Sequence, residues 1–112
     1  MSKPKSSRSP IKILIEARDL IANGWTQDVF ARDKTGSAVY PLSRIACQFC
    51  LHGAICRAAY SGFGHRGAEL ALEANIPDEY NGEIVDFNDF KDTTQAKVLA
   101  VLDATIKNLK AQ

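Results

Sequence analysis

Apolar residues recur at helical spacing near both ends of this chain, and each run carries its own start signal. In the first run Ile11, Leu14, Ile15, Ala17, Arg18 and Ile21 form a broad, mostly apolar stripe, while Lys12, Glu16, Asp19 and Asn23 follow the opposite face. Apolar groups every three or four residues bury one side of a helix and leave the other in water. Ser9 can accept from the amides left free at the helix start, Pro10 suits the first helical position, and Gly24 is a natural stop. In the second run Ala96, Leu99, Leu102, Ile106 and Leu109 recur in the same way. Asp92 can cap it, with Gln95 reaching back as in a capping box. A mainly α domain follows, with α+β as the alternative class.

Between these helices lie shorter signals. Val29, Phe30 and Ala31, then Ala38, Val39 and Tyr40, flank the turn-like RDKTGS, which predicts a small β-hairpin or an irregular loop after the first helix. Ser43 is placed to cap a second helix running to about Tyr60, and SGFGHRG breaks it. A third helix is expected in HRGAELALEAN, and EIVDF reads as a short strand. The sum is a bundle of about four helices over residues 10–112. Residues 1–9 are Lys-, Ser- and Pro-rich with too few apolar groups to bury, and are expected to be a disordered basic tail.

Charge narrows the function classes. The formal net charge is +1, with 14 basic and 13 acidic residues. Three of the basic ones fall in the first ten positions, which hold no acid, so the remainder is slightly acidic. Such a body offers no extended nucleic-acid surface. Nucleic-acid binding through the basic arm is the weaker alternative, since the HRGAELALEAN helix presents Glu69 and Glu73 to any phosphate. No apolar run approaches the roughly 18 residues of a membrane span, and the charges in IKILIEARDLIANG would not suit a secretory signal. Three cysteines without an export signal fit free thiols in a cytoplasm.

Those cysteines crowd into CQFCLHGAIC, residues 47–56, with one of the two histidines. A structural zinc ion needs four converging ligands. If the stretch is helical, Cys47 and Cys50 lie about 60° apart, but His52 and Cys56 lie about 140° and 180° around from Cys47. No metal site is therefore expected. The redox reading needs a thiol pair at the start of a helix, whereas this pair is expected inside one. What remains is a small-residue packing face, with Cys50 and His52 as the candidate thiol site.

GFGHRG, residues 62–67, matches the GxGxxG spacing but follows a helix, not the strand that a dinucleotide fold requires. A residual anion-binding role would use Gly62, Gly64, His65, Arg66 and Gly67, and the alternative is a plain helix–helix connection. Carboxylates in DEYNGEIVDFNDFKD lack the spacing of a calcium loop, and Asn88 and Asp89 read as turn and cap residues. Trp25, Phe30, Tyr40, Phe87 and Phe90 are expected to cover the core, and an aromatic left outside would mark a partner surface.

Three segments in order, GWTQ at 24–27, CLHGAI at 50–55 and DFNDF…TTQAKVLAVLDATI at 86–106, resemble an uncharacterised family of small bacterial and phage proteins. The resemblance implies that Trp25, Cys50, Gly53, Ala54, Asn88 and Asp89 form the framework of the domain. It assigns no reaction, catalytic residue or cofactor. The expected function is a non-enzymatic accessory or protein-interaction domain that acts through a protein partner. The alternative is a small enzyme or ligand-binding protein using Cys50 with a histidine, or the Gly62–Gly67 loop.

Overall fold

The computed structural model describes residues 8–112. Most of the stretch expected to be a tail, residues 1–7, lies outside them. Arg8 is described, and its guanidinium donates to Glu16 Oε1 at 3.0 Å and to the Ala58 carbonyl at 2.9 Å.

The first helix, α1 (Pro10–Asn23), has the limits its sequence announces. Ser9 Oγ accepts from the Lys12 amide, and Gly24 N–H closes the last turn onto Leu20 and Ile21. Its buried face is Ile13, Leu14, Ala17 and Ile21, whereas Ile15 is 39% exposed. This helix organises the core. It packs most extensively on α2 (Leu51–Ala59) and α5 (Gln95–Lys110), and more lightly on α3 (Arg66–Glu73). A 3-10 turn at Asp78–Tyr80 and the short helix α4 (Ile84–Asp89) complete the helical part. Arg18 of α1 also pairs with Asp103 of α5, Nε to Oδ1 at 2.5 Å.

Two strands, β1 (Ala31–Arg32) and β2 (Gln48–Phe49), pair antiparallel with Ala31 opposite Phe49 and Arg32 opposite Gln48. The class is thus mainly α with one short antiparallel pair. The pairing itself differs from the expected hairpin, whose second arm keeps only a single bridge, Arg32 to Ala38. Asp33 holds the intervening turn by accepting from the amides of Thr35 and Ser37.

The second helix starts seven residues later than Ser43 suggests, with Cys50 in the capping position. Amides of Cys47, Phe49 and Cys50 donate to the carbonyls of Arg32, Gly24 and Phe30, so this stretch is extended between two other segments. Ser43 instead serves a local turn, its Oγ accepting from Ile45 N. EIVDF is not a strand: Glu83 precedes α4 as its cap residue, and IVDF is helical within it. The last helix is capped by Thr94, which accepts from Lys97 N, instead of by Asp92. Gln95 turns away and donates to the Ile21 carbonyl at 2.8 Å, tying the start of α5 to the end of α1.

Candidate functional site

The late start of α2 reshapes the cysteine stretch. Cys47 is exposed on the extended segment, Cys50 is the residue that caps α2, and Cys56 is buried within the helix. All three are free thiols. Cys50 Sγ accepts from Gly53 N at 3.2 Å, in the role a serine oxygen usually plays. Burial pushes its pKa up to about 11, outweighing the Gly53 amide that acts in the opposite direction. The candidate Cys50–His52 pair is therefore not the pair the fold assembles.

Cys50 belongs to a knot centred on Asn88, which is fully buried. Its Oδ1 accepts from Trp25 Nε1 at 2.8 Å and from Leu51 N at 3.0 Å. Its Nδ2 donates to the Thr26 carbonyl at 3.1 Å and to Asp89 Oδ1 at 2.9 Å. Asp89 Oδ1 also accepts from Asp28 N, which steadies that residue at a φ of 74°. Gly53 lies against strand-side backbone so closely that a Cβ would collide with the Phe30 carbonyl. The residues from the three resembling segments are thus brought together at one crossing of α2, α4 and the 24–30 segment.

His52 and Cys56 stand one turn apart on α2, which places them on one face. Cys56 Sγ lies 3.4 Å from His52 Nε2, and His52 Nδ1 lies 3.0 Å from Glu69 Oε1 on α3. The other Glu69 oxygen accepts from His65 N at 3.0 Å, and His65 Nδ1 accepts from Ala68 N, so α3 begins with a reciprocal cap. The hydrogen bond to Cys56, and then the one to Glu69, raise the His52 pKa to about 10 against the opposing effect of desolvation. Cys56 Sγ also lies 3.8 Å from the Gly62 carbonyl.

The glycine loop covers this array. Gly64 has a φ of +79°, and a Cβ there would stand 3.0 Å from His52 Cε1 and 2.6 Å from Glu69 Oε2. Close approach of the loop backbone to the histidine–carboxylate pair therefore requires glycine. Two amides at the start of α3 that an anion would use are already bonded to Glu69 and His65. Of the candidate anion residues, Arg66 and Gly62 point to solvent and Gly64 is buried.

Sequence reasoning missed the role of Phe30. It is 49% exposed and stacks at a tilt on His52, with ring centroids 5.1 Å apart. One side of Phe30 borders an apolar groove of about 270 Å³ with Val29, Ala38, Val39, Tyr40 and Pro41. Its other side borders a pocket of about 250 Å³ lined by His52, Glu69, Glu73, Glu83, Ile84 and Val85. Three carboxylates against one imidazolium leave that pocket net negative. Among the described residues neither Glu73 nor Glu83 takes part in an ion pair. Of the five aromatics expected to cover the core, Phe87 is buried, but Tyr40 is 85% exposed and Phe90 41%. Among the described residues no helix is long and apolar enough to cross a membrane.

No curated protein and no solved structure matches the chain. One family model does, over residues 5–108. Only four residues at each end fall outside that match, and the chain belongs to this family of unknown function, DUF6197.

Proposed function

We propose that this protein is a non-enzymatic interaction domain that docks an extended segment of a partner protein across Phe30. An apolar side chain of the segment fills the groove between Val29 and Pro41, and a neighbouring lysine or arginine enters the pocket of Glu69, Glu73 and Glu83. The observation that carries this reading is the shared wall, since Phe30 lines both the apolar groove and the acidic pocket. An aromatic anchor beside the unpaired carboxylates of Glu73 and Glu83 offers burial and charge complementarity to one ligand at once. The same carboxylates repel a phosphate backbone, which disfavours a nucleic acid at this face. The free thiols fit a reducing cytoplasm as the site of action.

Titration with short peptides tests the reading, using peptides that pair a leucine or phenylalanine with a nearby arginine. Amide shifts are expected at Phe30, Val39, His52 and Glu73. Replacing the arginine by glutamate should weaken binding at least tenfold, about 1.4 kcal/mol. Glu73→Lys combined with Glu83→Lys should do the same to the arginine peptide. Equal binding of both peptides, or binding of neither, overturns the proposal. Concentration-dependent shifts of the same amides without peptide would assign the groove to a second copy instead, and would overturn it as well.

A further inference from the structure

Behind the pocket wall that His52 and Glu69 form, the chemistry-bearing groups converge on Cys56. A sulfur, an imidazole and a carboxylate stand in series: Cys56 Sγ to His52 Nε2 at 3.4 Å, then His52 Nδ1 to Glu69 Oε1 at 3.0 Å. Glu69 is itself fixed by the His65 amide, so the ring has one orientation. Nucleophile, proton carrier and orienting carboxylate in that order form the arrangement that activates a thiol. A packing cysteine needs none of it, as Cys50, held by backbone amides alone, shows.

Access selects the reagent. Cys56 is 1% exposed, and the cover over it is the thin turn Ser61–His65. Added bulk at Gly62 would meet nothing within 4 Å, and the adjoining Phe63 is 94% exposed, so the outer part of the cover is not packed on the body. Its inner anchors are the Gly62 carbonyl on Cys56, the Ser61 amide on the Cys56 carbonyl, and Gly64 above His52. Such a cover excludes a bulky alkylating agent or an acyl substrate, so the reagent to consider is one as small as hydrogen peroxide.

We propose that Cys56 is an oxidisable thiol that hydrogen peroxide converts to a sulfenic acid, with His52 as its proton partner and Glu69 holding the ring. The thiol first gives its proton to solvent, leaving a thiolate beside the imidazolium. Sulfur then attacks one peroxide oxygen, so that an S–O bond forms and the O–O bond breaks. The departing hydroxide takes the Nε2 proton and leaves as water, and His52 recovers a proton from solvent. Sulfur is oxidised, peroxide is reduced, and the net change is thiol plus peroxide to sulfenic acid plus water. The new hydroxyl occupies the space between sulfur and the Gly62 carbonyl, which loosens the loop that carries Phe63.

The test is a competition among the three thiols of the intact chain. Folded protein is exposed to graded peroxide, quenched with catalase, unfolded in the presence of dimedone and mapped by mass spectrometry. The dimedone adduct is expected first at Cys56, while N-ethylmaleimide added to the folded protein is expected to take Cys47 first. His52→Asn should slow oxidation of Cys56 at least tenfold, and Glu69→Gln should slow it less. Should His52→Asn fail to fold, the wild-type chain still decides the matter. Cys56 must oxidise faster in the native state than in urea, because an activated thiol loses its partner on unfolding and a merely buried one gains access. Slower native oxidation, or oxidation confined to Cys47, overturns the proposal.

Discussion

Asn88 carries more of this fold than any neighbour in sequence suggests. A buried amide has two donors and one acceptor oxygen to satisfy, and here every one is used, across Trp25, Thr26, Leu51 and Asp89. In the sequence the residue sits in FNDF, where a turn is the natural reading, and nothing local distinguishes it from an exposed turn asparagine. Only the resemblance pointed to it, and only the three-dimensional contacts explain it: its oxygen supplies the first amide of α2 with an acceptor from 37 residues away. Asn88→Ala would leave the buried Leu51 amide and the part-buried Trp25 indole N–H without their partner, at about 1–3 kcal/mol for each such group. The expected loss is about 3 kcal/mol in urea unfolding, accompanied by a red shift of Trp25 emission in the native state. A loss below about 1 kcal/mol would mean that water replaces the side chain, and that Asn88 is not the centre of the knot.

The element that sequence patterning misplaced is α2, and the reason is physical. Whether residues 47–50 continue a helix backwards or lie extended depends on where their amides can donate. They donate to Gly24, Phe30 and Arg32, segments outside any local window of sequence. Moving the start from Ser43 to Leu51 also overturns the angular argument against clustering, which assumed one continuous helix over all four candidate ligands. His52 and Cys56 do share that helix, and their four-residue spacing was readable, but the third member, Glu69, comes from α3. That pair fastens α2 to α3 and yields a pH prediction. His52 rises from an ordinary value of 6.5 to about 10 on folding. The native state therefore holds a proton that the unfolded chain releases above about pH 6.5. The resulting stabilisation is complete below pH 6.5, shrinks as pH rises, and is gone above about pH 10. The stability gap between wild type and His52→Gln should follow that course in denaturant titrations from pH 6 to 10.5. A gap that stays flat over this window would show that His52 is neutral in the fold.

At the scale of the whole molecule, α1 is the common neighbour of α2, α3 and α5, so the core forms where these helices meet its buried face of Ile13, Leu14, Ala17 and Ile21. The helical class and the limits of α1 were readable, because capping and periodicity are local properties of the chain. Which side of α1 faces inward was only partly readable. The stripe expected from the pattern included Ile15 and left out Ile13, whereas the fold buries Ile13 completely and leaves Ile15 39% exposed. Six isoleucines and leucines among twelve residues make nearly every face of such a helix apolar, so periodicity alone selects weakly between adjacent sides. Packing partners on three sides decide it. Leu14→Ala should then cost about 2–5 kcal/mol, since it opens a cavity in contact with more than one helix. Ile15→Ala should cost about 0.5 kcal/mol, because part of that side chain is already in water. Because α1 joins the helices into one core, the Leu14 variant should still unfold in a single transition, with far-ultraviolet circular dichroism and Trp25 fluorescence coincident. Separate midpoints for the two signals would show that the Trp25 knot and the helical shell are independent units, and would remove α1 from its central place.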